Sequence, residues 1–382
     1  MKAILHIGQS KTGTSAIQTF LAENRSALLK QGVLYPDITV GGVYLEMVQH
    51  NSIADSLTGR KVYPYLSADA YFKQIRNAVH ARGVECLVLS AEHFFGGEPR
   101  VWNVTDETVY FDAYRKKLAE LKLRLNFCDT FQIILYLRNQ QDWLSSSVAH
   151  TIRFQLLHDH KNVYQNDRQY FEMVRPLLRY GKLLDCWSET FGPEAIQVAC
   201  YNRENLHNAD ATQDFIKRAG IHPNGMDFSI PASETNLSLS AEFVEVKKIL
   251  NQDIKHKDVE RATIACLDSL STRRSKNRRY SLDPAVLVDL AEIAKRENAH
   301  VNARYLSRGQ ELNLPRTPQE PKIPEEDIQH ALAEFHSAFA KPKYRRLIWK
   351  LRTKSFLRNK VTPLHTVLRR IKHVVRKGRA RA

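Results

Sequence analysis

The chain of 382 residues carries 57 Lys and Arg against 41 Asp and Glu, a net charge of +16, with 43% hydrophobic and 26% charged residues. That length accommodates one large α/β domain or two ordinary ones, and no run approaches eighteen apolar residues, so no transmembrane helix is expected. The excess charge sits at the end: residues 341–382 hold 16 basic and no acidic side chains, while residues 1–340 balance at 41 of each sign, which argues against a nucleic-acid-binding body.

The first pattern in the chain is a short buried strand at Ile4, Leu5 and Ile7. A loop bounded by Gly8 and Gly13 follows, and helical spacing then runs from Thr14 through Ile17, Phe20, Leu21 and Leu28. A strand entered by residue 4 leaves no room for a signal peptide. The five separated cysteines (Cys86, Cys128, Cys186, Cys200, Cys266) read as reduced core residues, not as a disulfide framework or metal site, so a cytoplasmic location is expected. Gly32–Pro36 forms a short strand closed by proline, and residues 40–75 read as irregular apart from a helix ending near Leu57.

Cys86–Ser90 is a second buried strand, leading into Ala91-Glu92-His93. An amphipathic helix follows over 108–126, and the most apolar strand, Phe131–Leu137, runs directly into Arg138. Helical patterning covers Asp142–Leu157, and Tyr170–Phe191 reads as two helical pieces ended by Gly192-Pro193. Ile196–Tyr201 is a further strand, and Thr212–Ala219 a helix stopped by Gly220. Strands alternating with helices predict an α/β fold, a doubly wound parallel sheet with flanking helices, joined to a helical C-terminal part. The expected domains are 1–310, a linker and helix over 311–340, and a basic amphipathic tail over 341–382.

The loop after the first strand carries the clearest chemistry. Its amides and the following helix N-terminus direct positive partial charge at one point, and hydroxyls of Thr12, Thr14 and Ser15 add donors, which makes an anion cradle. The Gly8-x4-Gly13 spacing is that of a Walker A loop, but Thr14 stands where a nucleotide triphosphatase has lysine. The cation is Lys11, inside the loop, which suits a ligand with one phosphate and one terminal group better than a triphosphate chain. For a base, Glu92 follows a buried strand directly and so should face the strand-end crevice; His93 is its neighbour, and His50 lies in a loop able to cover the site.

Lys11-Thr12-Gly13-Thr14-Ser15 resembles the 5′-phosphosulfate loop of sulfotransferases that use 3′-phosphoadenosine 5′-phosphosulfate (PAPS). Arg138 at a strand end, followed eight residues later by Ser146, resembles the 3′-phosphate site of the same family. Weaker similarity lies in Arg25, Leu28 and Gly32–Pro36, in Tyr170-Phe171, Tyr180-Gly181, Trp187, Phe191-Gly192 and Tyr201, and in Asn236–Ser240. Over roughly residues 1–310 the chain resembles a bacterial PAPS-dependent sulfotransferase of the carbohydrate type, with a P-loop NTPase-like fold.

The resemblance implies that PAPS is the co-substrate and that Lys11 stabilises the leaving phosphate. It assigns the 5′-phosphate to Thr12, Gly13, Thr14 and Ser15, and the 3′-phosphate to Arg138 and Ser146, where a planar guanidinium fork and a helix hydroxyl suit phosphate oxygens. A sulfuryl group bears less charge than a phosphoryl group, so no metal is expected. The acceptor implied is a hydroxyl or amine of a carbohydrate or glycolipid, with Glu92, His93 or His50 as base. Two other readings compete. A P-loop kinase or NTPase is opposed by Thr14 and by the Arg138 and Ser146 pair; a non-catalytic, membrane-associated nucleotide-binding protein is opposed by Lys11 and Glu92.

Two basic segments remain. Arg273–Arg279 reads as a closing segment over the nucleotide, a solvated loop or a patch for a polyanionic acceptor. In the tail, Leu364, Val367, Leu368, Ile371, Val374 and Val375 make a helical stripe among basic residues, as in segments that dock on anionic inner-leaflet lipid. No specific nucleic-acid partner is expected.

Overall fold

From the N-terminus, β1 (Lys2–His6) leads into α1 (Thr14–Glu23) and α2 (Arg25–Lys30), then β2 (Val33–Leu34) and a hairpin of β3 (Ile38–Val40) and β4 (Val43–Leu45). Next come α3 (Asn51–Ser56), α4 (Ala68–Arg82), β5 (Cys86–Ser90), the short α5 (His93–Gly96) and α6 (Glu107–Arg124). The alternating part ends with β6 (Thr130–Leu137), α7 (Gln140–Arg153), α8 (Asp167–Val174), α9 (Tyr180–Phe191), β7 (Ile196–Cys200) and α10 (Ala211–Ala219). The remainder is helical: α11 (Ala241–Asn251), α12 (Lys257–Ser271), α13 (Pro284–Arg304), α14 (Glu325–Phe339) and α15 (Pro342–Lys360).

This computed structural model describes residues 1–59, 63–96, 106–157, 164–229, 238–274, 278–315 and 323–360, with side chains to 353 in the last segment. His158, His160, Asn236, Leu237, residues 275–277 of the basic loop, residues 316–322 of the linker and the stripe from Leu364 lie outside them. Among the described residues, no helix is long and apolar enough to cross a membrane.

The five-stranded sheet is parallel throughout, in the order β2-β5-β1-β6-β7. Its strands are buried on both faces, which is why they read as apolar runs and not as alternating patterns. On one face Ile4, Val88, Ile134 and Tyr136 pack against Ile17, Phe20 and Leu21 of α1 and Phe215 and Ile216 of α10. On the other, Phe131 meets Phe191 of α9 with ring centroids 5.1 Å apart. The expected doubly wound sheet is therefore present, with a helical C-terminal part.

Sheet register positions the strand ends. His6 at the end of β1 lies opposite Ser90, the last residue of β5, and opposite Ile134 of β6. β6 runs on to Leu137, so Arg138 stands four residues past Ile134, which at strand rise puts it roughly 13 Å beyond that level. The loops after β1, β5 and β6 thus open at the same end of the sheet.

Two stretches depart from the sequence reading: α4 (Ala68–Arg82), a helix that the reading does not include, begins inside residues 40–75, and a hairpin forms nearby. Within residues 40–75, taken as irregular, β3 and β4 form a hairpin closed by Gly41-Gly42, both at positive φ (55° and 75°) as a type I′ turn requires. The strands are only three residues long and β4 is largely exposed, so no apolar periodicity marks them.

The chain divides into two compact units, each built from separated segments. The first comprises Met1–Val148, Gln165–Asn236 and Leu282–Gln319 and contains the sheet. The second comprises Ala149–Tyr164, Leu237–Ser281 and Glu320–Ala382. Inside the second unit, fully buried Lys247 and Glu260 pair at 3.0 Å, and the Glu260 carboxylate also accepts the amides of Leu156 (3.0 Å) and Leu157 (2.5 Å). Burial lowers the Lys247 pKa against the attraction of Glu260. Satisfying every partner makes such a buried charge tolerable, and here it ties a chain segment to α11 and α12.

Candidate functional site

The loop from Gly8 to Gly13 owes its shape to local backbone constraints. Gly8 lies so close to the start of α1 that an added Cβ would stand 2.3 Å from the Thr14 methyl and 3.0 Å from His6 Nε2. Gly13 turns the chain into α1 at φ 75°, and an added Cβ there would meet the Tyr201 hydroxyl at 2.9 Å. Between them Lys11 holds φ 70°, a left-handed conformation that costs an L-residue about 1–2 kcal/mol. Thr12 Oγ1 donates to the Gln9 carbonyl at 2.5 Å, bracing the curve. The amides of Ala16 and Ile17 fold back to the Gly13 carbonyl, and no side chain caps α1, so its first amides face the loop. Local strain together with uncapped amides is what an anion cradle needs.

The turn after β5 delivers Glu92 to this loop. The Thr14 hydroxyl donates to Glu92 Oε1, joining the first residue of α1 to the end of the neighbouring strand. The adjacent His93 is half-buried, and its Nδ1 pairs with the buried carboxylate of Asp55 on α3 at 2.9 Å. Its own backbone amide donates to Asn51 Oδ1 at 3.2 Å, and Lys117 Nζ donates to its carbonyl at 2.6 Å. This arrangement orients the imidazole as a carboxylate–histidine dyad does.

His50 is placed differently from the expected covering loop. It is fully buried, its Nδ1 accepts the Ser90 amide at 3.0 Å, and its Nε2 donates to the Pro36 carbonyl at 3.0 Å. With both nitrogens engaged by backbone, it holds the end of β5 in place and offers no nitrogen to a substrate. His6 braces the other side of Ser90, sharing a 2.7 Å hydrogen bond between Nδ1 and the Ser90 hydroxyl, and is also fully buried.

Burial drives the pKa of both His6 and His50 down to about 3. A histidine that is neutral when folded and titrates near 6.5 when unfolded binds protons preferentially in the unfolded state. Its stabilising contribution is complete above 6.5 and is lost as pH falls toward 3. Lowering pH from about 7 to about 5 therefore costs about 2 kcal/mol for each histidine. Urea midpoints measured over that range in wild type and His50→Gln check this; an unchanged pH slope in the variant would refute the assignment.

The third side comes from β6 and β7. Gln9 bridges the loop to this side: its Oε1 accepts the Arg138 amide at 3.0 Å, and its Nε2 donates to the Tyr180 hydroxyl at 2.6 Å. Arg138 is half-buried, and its charge opposes the upward pull of burial on the phenols of Tyr180 and Tyr201. Trp143 of α7 reaches the loop through Nε1, which donates to Ser10 Oγ at 3.3 Å. Ser147 is engaged with the Tyr170 hydroxyl at 2.7 Å, while Ser146 stands half-buried one residue before it.

The structure therefore gathers Lys11, Thr12, Gly13, Thr14, Ser15, Glu92 and Arg138 at one end of the sheet, with Ser146 on the helix that follows Arg138. Gln9 and Asp55 escaped the sequence reading; nothing about an isolated glutamine or a helix-borne aspartate marks it as a partner of a residue far along the chain. Tyr180 and Tyr201 were visible only as similarity without a role. Among the described residues, no three His, Cys, Asp or Glu side chains gather as a metal-ligand group.

No family model matches the chain, and no curated protein does. Among solved structures, a sulfotransferase from Alicyclobacillus acidocaldarius is similar at 11% identity and a TM-score of 0.38, covering 78% of this chain and 94% of that one. A likeness that loose carries no argument.

Proposed function

We propose that the chain is a sulfotransferase that takes a sulfuryl group from PAPS and places it on a hydroxyl or amine of a carbohydrate or glycolipid. The observation that carries this reading is the hydrogen bond from Thr14 to Glu92, which puts a carboxylate against the first turn of the helix that opens the anion cradle. A cradle that also receives a carboxylate base can bind a donor phosphate and deprotonate an acceptor at adjacent points.

In this reading the anhydride S–O bond breaks, a bond forms from the acceptor atom to sulfur, and the acceptor proton passes to Glu92. Lys11 stabilises the charge that develops on the leaving phosphate, and Gly13, Thr14 and Ser15 hold that phosphate with Thr12 supporting the loop. Arg138 and Ser146 receive the 3′-phosphate. His93, oriented by Asp55, is the second candidate base. The phosphoryl-transfer logic of positioning plus charge stabilisation carries over, without a metal to neutralise a triphosphate.

Calorimetric binding of 3′-phosphoadenosine 5′-phosphate, with and without Mg²⁺, tests the donor half. Tight, metal-independent binding is expected, far stronger than for 5′-AMP, and Arg138→Ala should weaken it about 10- to 100-fold through loss of charge-assisted hydrogen bonds. Preference for ATP with Mg²⁺ would return the loop to the kinase class.

A further inference from the structure

We infer that the outward side of α15 docks on an anionic lipid surface, an inference independent of the proposed activity. α15 packs on α12. Tyr344 is buried and stacks on Phe339 (centroids 5.6 Å), which stacks on Phe335 (5.0 Å), and Leu347, Ile348 and Leu351 follow at helical spacing, half-buried. Arg352 pins the helix by pairing with Asp258 of α12 at 2.5 Å. These contacts fix which residues of α15 remain outside.

Among the described side chains, the outside is cationic and carries one ring. Arg345, Arg346 and Lys350 are exposed, and Trp349 stands among them with 71% of its surface open to solvent. Residues 341–360 contain nine Lys and Arg and no Asp or Glu. The 19-residue helix spans about 28 Å, and its sequence carries one charge sign throughout. Its chemistry matches an anionic bilayer surface: each basic side chain near the headgroups adds attraction, and an amphipathic indole settles at headgroup depth. A single-stranded nucleic acid fits less well, because such ligands stack on successive aromatic side chains and this face has a single indole among the described side chains.

The test uses the full chain and sucrose-loaded vesicles of equal parts phosphatidylcholine and phosphatidylglycerol, against pure phosphatidylcholine. The protein should sediment with the mixed vesicles, lose binding as salt rises, and show a blue shift of tryptophan emission that Trp349→Phe abolishes. Arg345→Glu with Arg346→Glu should lower partitioning at least about tenfold, since two attractive charges become repulsive. Vesicle binding with an unmoved Trp349 emission, wild-type binding by the double variant, or tighter capture of a single-stranded oligonucleotide than of vesicles would each overturn the inference.

Discussion

Lys11→Ala is expected to lower kcat for sulfuryl transfer by about 10²–10³-fold while leaving affinity for 3′-phosphoadenosine 5′-phosphate nearly unchanged. In the proposed reading Lys11 meets the bridging region of the donor and not a phosphate bound in both ground and transition states. An interaction made chiefly with charge that develops during bond cleavage shows in kcat, not in product binding. Alanine is the informative replacement, because at φ 70° it bears the same left-handed strain as lysine, whereas glycine would relax the loop. Single-turnover rates with saturating donor, paired with calorimetry, separate the two effects. An unaltered rate would remove Lys11 from the chemistry.

Glu92→Gln should produce the other large loss, about 10²–10⁴-fold in kcat, because the amide keeps the shape and can still accept from Thr14 but cannot take a proton. The comparison that gives this result meaning is His93→Ala. Its imidazole is oriented by Asp55 and is the nearest alternative base in sequence. If Glu92→Gln retains near-wild-type turnover and His93→Ala collapses it, the base is the dyad, and Asp55→Asn should then reproduce much of the loss. If both variants retain activity, proton abstraction by this side of the crevice is wrong.

Much of this molecule was legible before its structure. Cys86–Ser90, Phe131–Leu137 and Ile196–Cys200 announce themselves as strands because burial on both faces forces continuous apolar runs. The cradle loop is legible for a different reason: its glycines, lysine and hydroxyls are adjacent in the chain, so a local backbone problem and its solution appear together. The β3–β4 hairpin was missed because three-residue strands on an exposed surface have no periodicity to detect, although Gly41-Gly42 is a turn signal.

What the sequence by itself determined is therefore the set of local pieces: the alternation of strands and helices, the cradle with Lys11 inside it, and Arg138 at a strand end. What only the tertiary structure decided is how pieces far apart in the chain meet. Placing β1 between β5 and β6 brings Glu92 to Thr14, 78 residues away, and the Arg138 amide to Gln9, 129 residues away. The same packing closes both nitrogens of His50 against backbone and turns Asp55 toward His93. A parallel sheet pairs only strands separated by long crossovers, so neither the register nor the side chains it brings face to face can be read from neighbouring residues.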